Sequence, residues 1–412
     1  MTAASGPAYA AILRQCYPRV LARLLARTGS LTEAEDAVQE ATLRALAHWP
    51  SKGIPQSPSA WLITVATNAH RDRLRKGRWE QPWSPSTDGA ELPKAATETN
   101  AAAKMGWPDE LLRLVFACCH PCLEAGESAA LCLATILDLS TSQVAHAFLA
   151  EPRTMEQRLT RARRRLREQG DPNGAPPTQC QERIPSVLCV LHLLFNEGYW
   201  SSQPNPPIRH ELCRLALGLT QALVQLFSSE PEALGLLALL TLHEARRPAR
   251  LDPAGDPVAL PCQDRTRWNT QLLGEGLGLL DHALQLRNPG PLQIEAAIAA
   301  VHCRAARAED TDWPEIADLY ALLEQFKPTP TVRVNRAFAV GQAHGANVAL
   351  ALLAQPDVDV ARSPYLDLVR GELLGAAGRQ HDAQRSLQQA HAHARNDAER
   401  AQLLAKLDQP LS

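Results

Sequence analysis

Apolar residues recur at intervals of three and four along most of this chain, and no strand-like alternation of useful length is present. Alanine and leucine dominate the apolar residues, which make up 45% of the chain, whereas aromatic residues make up 5%. This mixture favours helices over sheets. The sequence therefore predicts an all-α protein, and its 412 residues suggest two to four domains.

Neither a membrane span nor a secretory signal is expected. The longest nearly unbroken apolar run covers residues 233–242, far short of the ~18 residues that cross a bilayer. The first twenty residues lack a basic start followed by an apolar block. Ten cysteines in such a chain do not indicate a disulfide framework. We therefore expect a cytoplasmic protein that does not bind membranes.

Two stretches rich in Pro, Gly, Ser or Thr interrupt the helical pattern and predict linkers. The predicted division is a domain at 1–77, a linker at 78–105, a domain at 106–169, a linker at 170–179 and a domain at 180–412. Charge follows this division, since residues 1–170 carry a net charge of +4 and residues 171–412 one of −6. The basic residues 1–170 are therefore suited to binding a polyanion, whereas the acidic residues 171–412 are not.

Residues 141–168 have the pattern of a helix-turn-helix motif. Its second helix carries seven arginines and one acid between residues 153 and 167, opposite an apolar stripe formed by Met155, Leu159, Ala162 and Leu166. Such a helix enters the major groove with its N-terminal end, where Arg commonly reads guanine, and its later arginines hold phosphates. The alternative, a basic face that is only solvated, is disfavoured because such faces usually carry both acidic and basic residues. The candidate DNA-binding residues are Arg153, Thr154, Gln157, Arg158, Arg161 and Arg165.

An acidic helix is predicted from about Thr32 to about Trp49. Thr32 is the expected N-cap, with Glu35 completing a capping box. Glu33, Asp36 and Glu40 fall on one face, and Arg44 follows one turn later. By itself this pattern is weak evidence of function, because an acidic helix face is usually just solvated.

A third helix, predicted over residues 58–76, carries a polar-to-basic stripe. Its inward face is expected to comprise Trp61, Leu62, Val65, Ala66, Ala69 and Leu74. Its outward face is expected to comprise Thr64, Asn68, Arg71 and Arg75. A stripe of this kind can follow a nucleic-acid backbone.

Taken in order, these three segments resemble a bacterial RNA polymerase sigma factor of the extracytoplasmic-function class. The matching segments are AEDAVQEATLRAL, PSAWLITVATNAHRDRLRK and LSTSQVAHAFLAEPRTMEQRLTRARRRLRE. LRLVFACCHPCL, LLFNEGYWSS, QDRTRWN, AAIAAVHCRA and DTDWPEIADLY resemble a subgroup with a large, fused, tetratricopeptide-like C-terminal domain. The resemblance implies two small helical DNA-binding domains followed by that large helical domain, a non-enzymatic function and no cofactor.

The resemblance also implies roles for individual residues. Asp36, Gln39 and Glu40 would dock on the β′ clamp of core RNA polymerase, whose β flap is a further expected contact, and the helix-turn-helix domain would bind the minus-thirty-five element. Asn68, Arg71 and Arg75 would contact the minus-ten element, with a base flipped into the loop at 48–59. The expected partners are therefore core RNA polymerase and promoter DNA. One rival is a helix-turn-helix regulator without polymerase docking, which would not need the acidic helix.

The cluster Cys118, Cys119, His120 and Cys122 leaves a second rival open, a metal or redox protein. Zinc sites usually need a second ligand pair from a distant segment, and adjacent helical cysteines point about 100° apart. A buried helix end closed by Pro121 is therefore the favoured interpretation, and no metal site is predicted.

The C-terminal domain is expected to regulate the front part. Residues 365–394 have the rhythm of a tetratricopeptide helix pair, with a weaker copy at 332–353, although an irregular helical domain fits about as well. The opposite charges favour docking of residues 180–412 on the sigma domains. The contact is expected near a candidate interdomain or ligand site at Asn196, Glu197, Tyr199 and Trp200, residues that fit a structural role equally or better. A protein or a small molecule could regulate this domain.

Overall fold

The computed structural model describes residues 6–79, 108–136, 139–148, 150–169, 176–200, 208–253, 255–354 and 364–393. Within these ranges the chain forms seventeen α-helices, and the only β pairing is an isolated bridge between Leu251 and Pro257. The all-α fold is therefore confirmed. No helix in the described ranges is both long enough and apolar enough to cross a membrane. The contacts divide the chain into two compact units, residues 1–194 and 195–412.

The first unit begins with three helices, α1 (Gly6–Thr28), α2 (Leu31–Lys52) and α3 (Pro58–Trp79), which pack against one another. The Trp49 side chain lies at the centre of this bundle and is 2% exposed. Its ring makes edge contacts with the rings of Tyr9 and Trp61, at centroid distances of 6.3 and 5.8 Å. This aromatic cluster holds the end of α2 against α1 and α3.

The predicted N-cap of α2 is wrong by two residues. The helix begins at Leu31, and the Ser30 hydroxyl accepts the backbone N–H of Glu33. Ser30 supplies the same cap chemistry one half-turn earlier, and Gly29, with a φ of 69°, makes the tight turn that leads into it. Thr32 therefore lies inside the first turn.

Four further helices follow in the first unit. They are α4 (Glu110–Cys118), α5 (Ala125–Ile136), α6 (Thr141–Ala147) and α7 (Pro152–Glu168). Asp109 caps α4 by accepting two backbone N–H groups, and Pro152 occupies the first turn of α7, where no donor is lost. Helices α6 and α7 pack together as the predicted helix-turn-helix, and α1 packs against α4.

The helix α8 (Ile184–Tyr199) begins in the first unit and ends in the second. The first helices wholly within the second unit are α9 (His210–Leu226), α10 (Pro231–Ala245), α11 (Thr270–Gln285) and α12 (Pro291–Arg304). Helix α10 is buried on every side, as its almost uniformly apolar sequence requires, and it packs against α9, α11 and α12. It is the central helix of this part of the domain.

The second unit ends with α13 (Trp313–Phe326), α14 (Pro330–His344), α15 (Ala346–Leu353), α16 (Pro364–Ala376) and α17 (Gln380–Ala392). Both segments with tetratricopeptide-like rhythm form helix pairs, α14 with α15 and α16 with α17. Gly371 allows the close crossing of α16 and α17, because a Cβ there would lie 2.8 Å from Leu387 Cγ. The apolar core of this region runs from α12 to α16.

Candidate polymerase-binding and DNA-binding surfaces

The acidic face of α2 lies on the surface of the first unit. Asp36 and Gln39 are exposed and Glu40 is partly exposed, while the opposite face of the helix packs into the bundle. Asp36 accepts a hydrogen bond of 2.8 Å from Arg73 of α3, and Glu40 accepts one of 2.9 Å from Arg44. Surface pairs of this kind contribute only about 0–1 kcal/mol. Both carboxylates can therefore exchange these partners for the cations of another protein at little cost.

The outward stripe of α3 lies as the sequence predicts. Asn68, Arg71 and Arg75 are exposed, and Leu62, Ala66 and Ala69 are buried against the neighbouring helices. The prediction for Leu74 is wrong, because its side chain is 56% exposed. Residues 71–75 are all exposed, so this end of the helix extends beyond the packed part of the bundle and has no core to face.

Helix α7 presents its arginines to solvent at its N-terminal end. The four stripe residues Met155, Leu159, Ala162 and Leu166 are buried, as predicted. Arg153 and Arg158 are exposed and form no ion pair with any described residue. The remaining candidates in this part of the helix, Thr154, Gln157 and Arg161, are exposed as well. Unpaired guanidinium groups at the leading end of a recognition helix are available to bases and phosphates.

Further along α7 the arginines are engaged within the unit. Arg165 donates to Glu127 of α5 at 2.7 Å and is only partly exposed. Arg163 pairs with Glu35 of α2 at 3.3 Å, with side chains 33% and 15% exposed. A third ion pair joins Arg23 of α1 to Glu110 of α4. No periodicity or motif in the sequence indicates these ion pairs, because their partners lie 38 to 128 positions apart.

A cleft of about 240 Å³ lies beside the Arg163–Glu35 pair. It is lined by residues 29–32 at the start of α2 and by Arg163, Leu166 and Arg167 of α7. The predicted polymerase-binding helix and the predicted recognition helix therefore face each other across a partly open seam within the first unit.

The cysteine-rich segment forms a buried helix end. Cys118 and Cys119 are 1% and 2% exposed, and both contact the thiol of Cys132 in α5, whose pKa burial raises well above its usual value. Cys122 donates its backbone N–H to Nδ1 of His120. Within the described ranges, no three side chains of the metal-ligating types are arranged to hold a metal ion.

The segment 196–200 is built tightly into the second unit. A Cβ on Gly198 would lie 2.7 Å from the backbone nitrogen of Cys213, so only glycine permits this approach of α8 to α9. The Arg250 guanidinium lies 3.3 Å from the Tyr199 ring centroid and donates to the Tyr199 carbonyl at 2.8 Å. Glu197 is buried, whereas Trp200 is 41% exposed. A ligand or interdomain role for Asn196, Glu197, Tyr199 and Trp200 stays a prediction.

The Gly198 contact predicts a measurable loss of stability. Gly198→Ala should lower the free energy of unfolding by roughly 1–3 kcal/mol, because the new methyl group meets backbone rather than a movable side chain. The matched control is Gly218→Ala in α9, where a Cβ meets nothing within 4 Å, and this change should raise stability by up to about 1 kcal/mol. Urea unfolding of both variants tests this, and equal effects would contradict the close crossing.

Two segments of the chain match known protein families. Residues 12–80 match the family Sigma-70 region 2, and residues 183–284 match a family of unknown function, DUF6596. An uncharacterized protein of Rhizobium meliloti is 39% identical over 95% of this chain and 93% of its own length. The ECF RNA polymerase sigma factor SigL of Mycobacterium tuberculosis is 35% identical over 39% of this chain and 89% of its own length. No solved structure matches the chain significantly.

The two family matches fall in different parts of the chain. The sigma match covers most of α1 together with α2 and α3, which carry the acidic face and the basic stripe, and the second match runs from just before α8 into α11. Nearly the whole length of an ECF sigma factor aligns with part of this chain. The chain therefore belongs to the extracytoplasmic-function sigma factors and carries a fused C-terminal helical domain.

Proposed function

We propose that this sigma factor docks on the β′ clamp of core RNA polymerase through Asp36, Gln39 and Glu40. The observation that carries the proposal is the exposed acidic face of α2, whose two carboxylates make only surface ion pairs. Such a face suits a basic clamp, because complementary charge steers association and fixes orientation. Gln39 lies between Asp36 and Glu40 in the sequence, and its side chain is exposed, so that position 39 is suitable for a probe.

The docking surface can be tested with a photo-crosslinking amino acid at position 39. Irradiation of the complex with core polymerase should attach the chain to the β′ subunit. The same group at Asp318, an exposed position of α13 in the second unit, serves as the control and should give no β′ product. Crosslinking to another subunit, or equal yields from both positions, would refute the proposed docking face.

We further propose that the same chain reads two promoter elements. Asn68, Arg71 and Arg75 of α3 would contact the minus-ten element. Arg153, Thr154, Gln157, Arg158, Arg161 and Arg165 of α7 would contact the minus-thirty-five element. In support, the α3 residues and the leading residues of α7 are exposed, and the arginines among them carry the charge that phosphate binding requires. The helix-turn-helix part would also meet the β flap.

Binding both elements at once requires the first unit to open. The two elements lie about 25 base pairs apart, which corresponds to about 85 Å of duplex. Helices α3 and α7 both contact α2, through the Arg73–Asp36 and Arg163–Glu35 pairs, so they lie within roughly 25 Å of each other. We infer that the Arg163–Glu35 pair breaks when the protein engages polymerase and promoter.

Arg163→Gln should therefore tighten binding to core polymerase. Loss of a partly buried ion pair worth about 1 kcal/mol would raise the apparent affinity up to roughly fivefold, because less free energy is spent on opening. Arg164→Gln is the matched control, since Arg164 pairs within α7, with Glu168, and with no other described residue. Fluorescence titration of core polymerase measures both, and an unchanged or weaker affinity for Arg163→Gln would exclude this closed form.

We also propose that residues 180–412 regulate the sigma part. The charge of −6 over residues 171–412 against +4 over residues 1–170 supports this role. A protease site inserted at 171–175 would allow the folded full-length chain to be cut without loss of either part. Transcription by core polymerase should change after cleavage, and identical activity before and after cleavage would refute regulation by the fused domain.

A further inference from the structure

Three arginines follow the end of α10, and they differ in burial and in hydrogen-bond partners. Arg247 is exposed and pairs with Glu244 at 2.7 Å. Arg250 donates to the Tyr199 carbonyl. Arg246 is 6% exposed and makes no hydrogen bond or ion pair with any described residue, and its Nε atom is inaccessible to water and without a partner. Arg246 is thus a buried cation whose donors are unused.

The surroundings of Arg246 add positive charge rather than a counter-ion. Its guanidinium carbon lies 5.8 Å from the Trp268 ring centroid, and that of Arg265 lies 4.8 Å from the same ring. Arg265 is held in place because it donates to the carbonyl oxygens of His302 and Ala305 at 2.6 Å each. Two guanidinium groups therefore share one buried indole.

The neighbouring titratable groups do not neutralise this charge. Burial, together with Arg246 and Arg265, lowers the pKa of His302 to about 4, so that its ring is neutral at physiological pH. Burial raises the pKa of the Cys303 thiol, which also stays neutral. The acid that acts on Arg265 from a distance, Asp310, is itself paired with Arg307. Among the described residues, no carboxylate contacts Arg246.

An uncompensated buried charge destabilises a protein, and native structures pair such groups. A guanidinium group offers a planar fork of donors that matches the oxygens of a carboxylate or phosphate. Because Arg246 is almost completely buried, its partner would have to be a small anionic group, since an extended nucleic-acid backbone requires an exposed stripe of cations.

We propose that Arg246, Arg265 and Trp268 form a binding site for the carboxylate or phosphate group of a small molecule. All three residues lie in the segment that matches a family of unknown function, and Arg265 and Trp268 belong to the QDRTRWN segment. The anion would be the small-molecule regulator of the fused domain, and this regulatory role rests on the function proposed above. Binding itself does not depend on that function and is tested without polymerase.

Thermal unfolding of the full chain tests the site. Inorganic phosphate and succinate are titrated separately at constant ionic strength, which distinguishes a phosphate from a carboxylate ligand. With one of them, the Tm of the wild type should rise with the logarithm of the ligand concentration above Kd, by roughly 5–10 °C at a hundredfold excess over Kd. A wild type without such a rise in either titration would overturn the proposal.

Three variants make the test specific. Arg246→Met should unfold at a higher temperature than the anion-free wild type and lose the ligand-dependent rise in Tm, because the unpaired charge is gone. Arg246→Lys keeps the charge without the planar fork and should bind at least about tenfold more weakly. Arg247→Met, which removes the exposed neighbouring arginine, should respond like the wild type. An Arg246→Met protein that fails to fold, or that keeps the wild-type response, would overturn the proposal.

Discussion

Asp36→Arg and Glu40→Arg should each abolish binding to core RNA polymerase while the chain stays folded. Each change places a positive charge on the face of α2 proposed to meet a basic clamp, where juxtaposed like charges cost several kcal/mol. The free protein should lose at most about 1 kcal/mol, because the Arg73–Asp36 and Arg44–Glu40 pairs are on the surface. Co-precipitation with core polymerase measures binding, and urea unfolding measures stability.

Asp318→Arg is the control for net charge, since it makes the same charge change at an exposed position of α13 in the second unit. It should bind core polymerase like the wild type. If the two α2 variants also keep wild-type affinity, the acidic face of α2 is only a solvated surface.

Arg158→Ala and Arg165→Ala should weaken DNA binding in different ways. Arg158 is exposed near the start of α7 and free of ion pairs with described residues, so its loss should remove about 1–3 kcal/mol of discrimination between promoter and random DNA. Arg165 lies deeper in the helix and is already partly engaged by Glu127. Its loss should weaken binding to all sequences and lower the salt slope by about one.

Salt-dependent titrations of promoter and random duplexes separate the two effects. Arg164→Ala is the control for position along the helix, because the exposed Arg164 side chain pairs, among the residues that the structure describes, only with Glu168 of the same helix. The assignment of a base-reading and a phosphate-binding arginine fails if both Arg158→Ala and Arg165→Ala lose equal affinity on both duplexes.

Local pattern was sufficient to predict the helices and much of the exposed surface. The buried stripe from Met155 to Leu166 follows from the helical period alone, because only one face of α7 can pack. Propensity could not select the cap of α2, since Ser30 and Thr32 are both suitable residues. Leu74 was misplaced because its spacing fits the apolar face, although no core extends to that end of α3.

Contacts between distant segments could not be predicted from the sequence. The partners in the Arg163–Glu35 pair lie 128 residues apart, and no periodicity relates them. The same limit applies to Arg246 and Arg247, which are adjacent and chemically identical, yet Arg246 is buried without a hydrogen-bond partner among the described residues and Arg247 is exposed. Which of the two arginines is buried depends on tertiary packing, and the sequence of one segment does not determine that packing.

The most direct test of the central claim is promoter-directed transcription by a reconstituted holoenzyme. Core RNA polymerase would be combined with the full chain on genomic DNA of the organism that encodes it, and the 5′ ends of the transcripts would be sequenced. The account predicts initiation at a restricted set of sites that share minus-thirty-five and minus-ten elements, and their loss with Asp36→Arg. A pattern of starts indistinguishable from that of core polymerase alone would contradict it.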